Sequence, residues 1–281
     1  AWLPRFHLWE FHDLDNTPRL FRNLLTESLG MFWTFPSWLP AGIARALRLP
    51  YASLCAEPLV DALERTKATT ILDLCSGSGG PLPFIHSTAL SQKGTKYSAT
   101  LSDLFPNVPA YKRLVNAVPG SGLEYSATPV DATDVGQVQA FRTIFGSFHH
   151  FDRSMATKIL QDAVKTRNGI AIFEATERSL FNILFFFPFV MPFMATLTAP
   201  LTPPFRWLRL FFSWVLPVAP VMFAFDGVVS CLRCYTEAEF RELLRGVEGA
   251  ETFEWQFGRR RHWLLPSLVW YIGTPKQKVG E

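Results

Sequence analysis

A run of ten residues, 71–80, constrains the fold more than any other part of this sequence. It begins with the apolar residues of a short strand, includes an acid at Asp73, and continues as a glycine-rich turn. Pro81 follows, and proline suits the first turn of a helix, where its missing N–H has no partner to lose. Glycines let a ligand lie against the backbone, and a helix N-terminus offers free amide donors. The run therefore predicts a cofactor site between a strand and a helix.

From residue 70 onward, short apolar runs alternate with helical patterns. Strands are predicted at 70–74, 96–102, 123–129, 143–148 and 169–174, and the helices between them at 81–91, 107–118, 134–141 and 152–166. Three further helices, at 18–30, 41–48 and 56–66, are predicted before the first strand. This alternation predicts a parallel sheet with right-handed crossovers. A capping box of Thr236 and Glu239 begins a later helix, and runs at 251–258 and 266–273 predict a terminal antiparallel hairpin. The expected fold class is α/β, a doubly wound and mostly parallel seven-stranded sheet.

Two regions lie outside this alternation. Residues 1–60 are rich in aromatic residues and prolines, and they predict an N-terminal helical cap. Residues 181–229 form a hydrophobic insertion, which we expect to be helical. Its first 45 residues contain no Asp, Glu or Lys, and their only charged side chains are Arg206 and Arg209. The cofactor-binding domain then comprises residues 61–180 and 230–281.

Composition excludes several function classes. The formal net charge of +3 is small, and no dense basic stripe with interleaved aromatics is present, so nucleic acid is not an expected partner. The four cysteines have no spacing typical of a disulfide framework. Cys231 and Cys234 form a CxxC without the second pair or nearby histidine that a zinc site needs. The sequence therefore predicts no metal site, and a reducing, intracellular compartment.

The spacing of glycines and acids distinguishes two cofactor classes. The dinucleotide motif G-x-G-x-x-G needs a third glycine at position 82, where this chain has Leu82. Asp103, near the end of the second predicted strand, is placed to bind a ribose in either class. Asp131 lies just past the third predicted strand, where a carboxylate can accept a hydrogen bond from an adenine amino group. Together these residues favour an adenosyl cofactor other than a dinucleotide.

In these residues the chain resembles the class I S-adenosylmethionine-dependent methyltransferases, over about residues 60–175 and 236–273. Asp73, Gly77 and Gly79 match the first motif of that family, although Cys75 stands where the family often has its first glycine. The resemblance implies S-adenosyl-L-methionine as the cofactor and S-adenosyl-L-homocysteine as the product. The residues that it implies for cofactor binding are Asp73, Cys75, Gly77, Gly79, Asp103, Leu104, Asp131, Ala132 and Ser147.

The resemblance also implies methyl transfer, and a hydroxyl acceptor must then lose its proton. His149 and His150 resemble the His-His segment that follows the fourth strand of small-molecule methyltransferases, and histidine titrates near neutral pH. If the strand continues through them, they point to opposite faces and only one meets the substrate. Glu174, at the end of the fifth predicted strand, either orients the acceptor or pairs with Arg178 or another basic residue. The catalytic candidates are therefore His149, His150 and Glu174.

The hydrophobic insertion follows the fifth predicted strand, so it lies near the crevice at the carboxyl ends of the strands. Three interpretations remain open. The first is a transmembrane hairpin of spans 183–200 and 210–225, which are short and rich in proline. The second is a monotopic hairpin in one leaflet, with Trp207, Trp214, Arg206 and Arg209 at the interface. The third is a buried lid or a dimer surface, and as a dimer surface it would make the chain a homo-oligomer.

From the sequence we expect methyl transfer, at oxygen, to a lipophilic small molecule at a membrane surface on the cytoplasmic side. The alternative is a non-catalytic, membrane-associated scaffold that retains the fold. Transfer of an aminopropyl group from the decarboxylated cofactor would favour an acidic polyamine pocket, which this oily chain does not suggest.

Overall fold

A computed structural model describes residues 3–14, 16–36 and 41–277 of the chain. Parts of the predicted cap, at 1–2, 15 and 37–40, and the predicted domain end at 278–281 lie outside the described residues. The strands of its sheet are β1 (Thr70–Leu74), β2 (Ser98–Leu101), β3 (Leu123–Tyr125), β4 (Phe141–Phe145), β5 (Ile170–Glu174), β6 (Phe253–Arg260) and β7 (Leu268–Pro275).

The α-helices flank this sheet and cover its carboxyl edge. They are α1 (Arg19–Thr34), α2 (Ala41–Leu47), α3 (Ser53–Thr66), α4 (Leu82–Ile85), α5 (Val108–Ala117), α6 (Arg153–Lys165), α7 (Met191–Thr198), α8 (Trp207–Leu210), α9 (Val218–Arg233) and α10 (Glu237–Arg245). Three π-helical segments continue or precede them, at His86–Leu90, Asn182–Val190 and Phe211–Val215. The predicted capping box begins α10, where Thr236 and Glu239 bond reciprocally.

The sheet confirms the predicted fold class. Its strand order is β3-β2-β1-β4-β5-β7-β6. β1 pairs in parallel with β2 and β4, whereas β7 lies antiparallel between β5 and β6. This is the fold that the resemblance to class I methyltransferases implies. All five residues of β4 and of β5 are buried, as in a sheet that helices cover on both faces. One apolar core contains residues of α3 and the other contains residues of α6 and α10.

The segment between β3 and β4 differs from the prediction. β3 ends at Tyr125, four residues earlier than expected, and the predicted helix at 134–141 is wrong, since turns occupy this segment up to β4. Gly136 has a φ of +73°, which a right-handed helix excludes. The Ala140 N–H instead donates to the side chain of Asn168. Phe141 then begins β4, so this strand begins two residues and ends three residues earlier than the predicted strand at 143–148.

The insertion forms broken helices that pack beside α1. One helix runs from Asn182 through Thr198, and Phe186, Met191 and Phe223 join Leu25 of α1 in a separate apolar cluster. Among the described residues, no single helix has the length and apolar composition to cross a bilayer. The helices Trp207–Val215 and Val218–Arg233 reach that length and apolar composition only when they are counted together, and they are bent by 77° at the break between them. α9 continues through the predicted boundary at residues 229–230.

The two arginines of the insertion bind α1, whereas the monotopic interpretation, one of the three left open, places both at a membrane interface. Arg209 is 1% exposed and forms an ion pair with Glu27 of α1, which is also 1% exposed. Arg206 donates to both oxygens of the same carboxylate, at 3.0 and 2.9 Å. A charge buried among apolar side chains requires a charged partner, and α1 supplies it. Trp207 and Trp214 remain exposed, at 77% and 56%.

Candidate active site

One cavity of about 390 Å³ lies at the carboxyl ends of β1, β4 and β5, beneath α1 and α9. The glycine turn after β1 forms one end, and the residues that follow β4 form the other. The residues that line it include seven of those predicted to bind the cofactor: Cys75, Gly77, Asp103, Leu104, Asp131, Ala132 and Ser147. Asp73 and Gly79 do not line the cavity.

Gly79 packs the turn against α5. Its φ is +111°, and a Cβ at this position would lie 2.2 Å from Cδ1 of Leu114. Cys75 also has a positive φ, +57°, which side-chain-bearing residues adopt at a cost of about 1 kcal/mol. A glycine would adopt this φ without that cost. The turn is also bound to α1, because the hydroxyls of Thr26 and Ser78 lie 2.7 Å apart.

Asp73 is a structural acid beneath the turn. It is 1% exposed, and its two carboxylate oxygens accept hydrogen bonds from the hydroxyls of Ser76 and Thr143, both at 2.6 Å. Burial raises the pKa of Asp73 to about 7, although these two hydrogen bonds act in the opposite direction. The side chain therefore joins the turn to β4. It does not line the cavity, whereas the sequence predicts that Asp73 binds the cofactor.

Two acids do reach the cavity from the ends of neighbouring strands. Asp103 follows β2, and its oxygens accept from the N–H groups of Gly77 and Phe105, each at 2.8 Å. Asp131 accepts from the N–H and the hydroxyl of Thr133 through a single oxygen. Each carboxylate oxygen has two lone pairs, so both acids retain the capacity to accept hydrogen bonds from a ligand.

At the opposite end, residues 148–150 form a 3₁₀ turn instead of continuing the strand. The condition under which His149 and His150 would point to opposite faces, a strand that continues through them, is therefore not met. Both line the cavity, and their ring centroids are 4.5 Å apart. His149 is buried, and its ring Nδ1 lies 2.9 Å from Oε2 of Glu174. The backbone N–H of His149 donates to the other oxygen of that carboxylate at 3.1 Å. Glu174 thus pairs with a histidine, whereas Arg178 pairs with Glu239.

The sequence did not point to two acids of the N-terminal segment that complete this end. Glu10 is 2% exposed, and its oxygens lie 3.8 Å from Nε2 of His149 and 3.7 Å from Nε2 of His150. Burial raises the pKa of Glu10 to about 7, opposed by the charges of His150 and Arg233. Nδ1 of His150 is 3.1 Å from Asp13. Burial also raises the pKa of Asp13, but hydrogen bonds from His150 and Arg233 outweigh it and hold the value well below its usual range.

Two arginines fix the turn that carries the histidines. Arg233, at the end of α9, donates to the carbonyl oxygens of His149 and His150, at 3.3 and 2.6 Å. Arg5 donates to those of His149 and Phe151, at 3.2 and 2.8 Å. Hydrogen bonds from charged donors are stronger than neutral ones. The geometry of the histidine pair therefore depends on two segments that lie far from it in the sequence.

The wall between the two ends of the cavity is apolar. It is formed by side chains of α1, of the insertion and of α9: Leu25, Leu29, Phe32, Trp33, Phe187, Met191 and Phe223. A ligand that reaches the histidines therefore lies against hydrocarbon.

No protein-family model matches this sequence, and no curated protein sequence does. Among solved structures, the methyltransferase domain of bacterial CtHen1 is 14% identical, with a TM-score of 0.46 over 78% of this chain and 97% of that one. NcsB1, an O-methyltransferase from neocarzinostatin biosynthesis solved with S-adenosylmethionine and 2-hydroxy-5-methyl naphthoic acid, is 14% identical, with a TM-score of 0.43 over 84% of this chain and 59% of NcsB1.

A third structure is described differently. The protein from Rhodobacter sphaeroides, described as a zinc-dependent alcohol dehydrogenase, is 13% identical, with a TM-score of 0.49 over 92% of this chain and 98% of that one. Similarities at this level do not assign an activity. The seven-stranded sheet has the fold that the resemblance implies, and a function has to be argued from the residues of this cavity.

Proposed function

We propose that this chain transfers a methyl group from S-adenosylmethionine to an oxygen atom of a lipophilic small molecule at a membrane surface. One observation carries the proposal. A single cavity contains rim carboxylates at the strand ends where an adenosyl cofactor is expected, and a buried histidine–carboxylate pair beyond an apolar wall. A scaffold without catalytic function needs neither.

The residues of the glycine turn fit the cofactor. Asp103 and Asp131 have oxygens that can accept from ribose hydroxyls and an adenine amino group, and the exposed Leu104 offers an apolar surface beside them. When bound, S-adenosylmethionine supplies an electrophilic methyl group on a sulfonium centre and leaves as S-adenosylhomocysteine. The protein's contribution to such a transfer is alignment of the acceptor and exclusion of water.

The histidine end removes the acceptor's proton. Because Glu174 accepts a hydrogen bond from Nδ1 of His149, the proton of the neutral imidazole lies on Nδ1 and the lone pair of Nε2 faces the cavity. That lone pair takes the hydroxyl proton while the acceptor oxygen forms its bond to the methyl carbon. Glu174 stabilises the resulting imidazolium and holds the ring in place. His150, beside it, narrows the site and contacts the acceptor.

The exposed surface of the insertion supports attachment to a lipid surface. Phe189 and Phe193 are 65% and 66% exposed on one helix, and Trp207 is 77% exposed. The same helix lines the cavity through Phe187 and Met191, so an acceptor dissolved in lipid has a short apolar path to the histidines. Both arginines of the insertion bind the carboxylate of Glu27, so α1 holds their guanidinium groups. An intracellular, cytoplasmic-side location stays a prediction.

Calorimetric titration and a transfer assay test the reaction. We expect S-adenosylmethionine and S-adenosylhomocysteine to bind one per chain, and label from methyl-tritiated cofactor to enter hydrophobic phenols or alcohols. Binding of neither cofactor would reverse the proposal in favour of the non-catalytic scaffold. Binding without transfer to any oxygen acceptor would retain the cofactor and refute the chemistry.

Flotation with phosphatidylcholine vesicles, with and without phosphatidylglycerol, tests the membrane surface. We expect the chain to float, and the pair Phe189→Asp and Phe193→Asp to remain in the soluble fraction. Val138→Asp is the matched control, because Val138 is 48% exposed in the segment before β4, at the other edge of the sheet from the cavity. A wild-type chain that stays soluble and sediments as a dimer would show that a second copy covers this face.

A further inference from the structure

Three side chains direct ligand atoms toward one point at the histidine end of the cavity. A carboxylate oxygen of Glu10 and one ring nitrogen each of His149 and His150 all lie within 4.8 Å of one another. The distances from Glu10 to the two Nε2 atoms are 3.8 and 3.7 Å. These two distances involve different oxygens of Glu10, and ligands about 2.1 Å from a tetrahedral metal ion lie about 3.4 Å apart, so the three donor atoms would close by up to about 1.4 Å to bind an ion. Two imidazoles and one carboxylate form a donor set that divalent transition metals prefer.

The second nitrogen of each ring is oriented by a carboxylate. Nδ1 of His149 is 2.9 Å from Glu174, and Nδ1 of His150 is 3.1 Å from Asp13. A carboxylate only accepts, so each Nδ1 carries the proton and each Nε2 presents a lone pair to the point between them. This carboxylate–histidine arrangement fixes the tautomer and raises the basicity of metal-ligating histidines. Its occurrence on both rings distinguishes the cluster from a single catalytic dyad.

The local charge also favours a cation. Three carboxylates, of Glu10, Asp13 and Glu174, surround the two rings. The guanidinium of Arg233 forms ion pairs with Glu10, at 3.5 Å, and with Asp13, and the guanidinium of Arg5 binds backbone carbonyl oxygens of the same turn, so these two cations leave one of the three carboxylates in excess. Carboxylates buried without matching cations are costly. A divalent ion between Glu10 and the rings would offset the excess.

We propose that Glu10, His149 and His150 bind one divalent transition metal ion. Its role rests on the proposed function, but its binding does not. An acceptor hydroxyl on the ion would lose its proton to bulk water near neutral pH. The oxygen would then form its bond to the methyl carbon as an anion, while the sulfonium sulfur keeps the electron pair of its broken bond to that carbon. In this arrangement His149 coordinates the ion and no longer accepts the proton.

Titration of the metal-free, tag-free chain with Co²⁺ and Zn²⁺ tests the site. We expect one ion per chain by calorimetry, and visible Co²⁺ absorption bands of a nitrogen- and oxygen-ligated site. Glu10→Gln and His150→Gln should each raise the Kd at least about 10-fold, since even outer-shell changes cost 10- to 100-fold. His7→Gln is the matched control, because His7 is an exposed histidine on the same segment as Glu10. Its Kd should equal that of the wild type.

The affinity of each variant for S-adenosylhomocysteine reports whether it is folded, because the cofactor end shares none of these three residues. Folded wild-type protein that binds neither ion would overturn the proposal, as would equal Kd values in the wild type and both ligand variants. Metal binding without methyl transfer would retain the site and refute the proposed function. Methyl transfer by metal-free protein would retain His149 as the base and refute the role of the ion in the reaction.

Discussion

The two ends of the cavity are assembled in different ways. The cofactor end consists mainly of residues from the connections that follow β1, β2 and β3, so their positions depend chiefly on the order of the strands. The histidine end combines the turn after β4 with Glu10 from the N-terminal segment, Glu174 from β5 and Arg233 from α9. The first depends on local sequence and strand order. The second exists only when segments that are distant in the sequence have packed together, so substitutions at the two ends should have different consequences.

Substitution of His149 should show the largest difference between the two ends of the cavity in their effects on kcat and on cofactor binding. We expect His149→Ala to lower kcat by about 10²- to 10⁴-fold, the usual contribution of a positioned general base, with an unchanged Kd for S-adenosylmethionine. Loss of a metal ligand would affect the same step. Single-turnover transfer and calorimetry measure the two quantities. His262→Gln, in the turn between β6 and β7 where the ring bonds to the carbonyl of Leu47, is the control and should change neither. A weakened cofactor Kd in His149→Ala would contradict the independence of the two ends.

A second test concerns the attachment of the insertion to α1, since both line the cavity. We expect Glu27→Gln to lower the free energy of unfolding by about 3–5 kcal/mol, because it leaves the buried Arg209 without its carboxylate. Glu237→Gln removes the partner of Arg241 in a pair whose side chains are both 57% exposed, and it should cost less than about 1 kcal/mol. Urea unfolding at neutral pH measures both. Equal losses would mean that Arg209 reaches solvent.

These contrasts also explain how much of the molecule could be predicted from sequence. Asp103 and Asp131 could be placed because an acid at the end of a parallel strand must face the same edge as the glycine turn. Glu10 could not be placed, because a lone glutamate in an aromatic segment gives no signal until that segment packs against α9. The tertiary partner of Arg209 was hidden for the same reason. Local strand and helix patterns fix the sheet, whereas charges in apolar surroundings take whichever partner the packing provides.

The third test uses the buried acid of the cofactor end. Because burial raises the pKa of Asp73 from 3.8 to about 7, the folded state binds more protons than the unfolded state between these values. The stability from this group is complete below about pH 4 and is lost as the pH rises through 7. We expect Asp73→Asn to lack this loss. Between pH 4 and pH 8 its free energy of unfolding should therefore rise relative to that of the wild type by up to about 4 kcal/mol. Urea unfolding across this range measures it. Ser76→Ala, which removes a hydrogen bond but not the carboxyl, should retain the loss. If the difference in the free energy of unfolding between the wild type and Asp73→Asn did not change with pH, Asp73 would stay ionised in the folded state.

The smallest expected effect is at the cavity rim. Asp103→Asn keeps the shape of the side chain but has only one accepting oxygen, so it cannot retain both bonds to the N–H groups of Gly77 and Phe105 and also bind a ribose. We expect a rise of about 10-fold in the Kd for S-adenosylmethionine, since a hydrogen bond to a charged group contributes about 1.5–3 kcal/mol and part of it remains. kcat at saturating cofactor should not change, which is the reverse of the result at His149. Asp61→Asn, on the exposed face of α3, controls for the loss of one negative charge. If Asp103→Asn lowered kcat at saturating cofactor, the cofactor end would position the acceptor as well. The two ends would then not have separate functions.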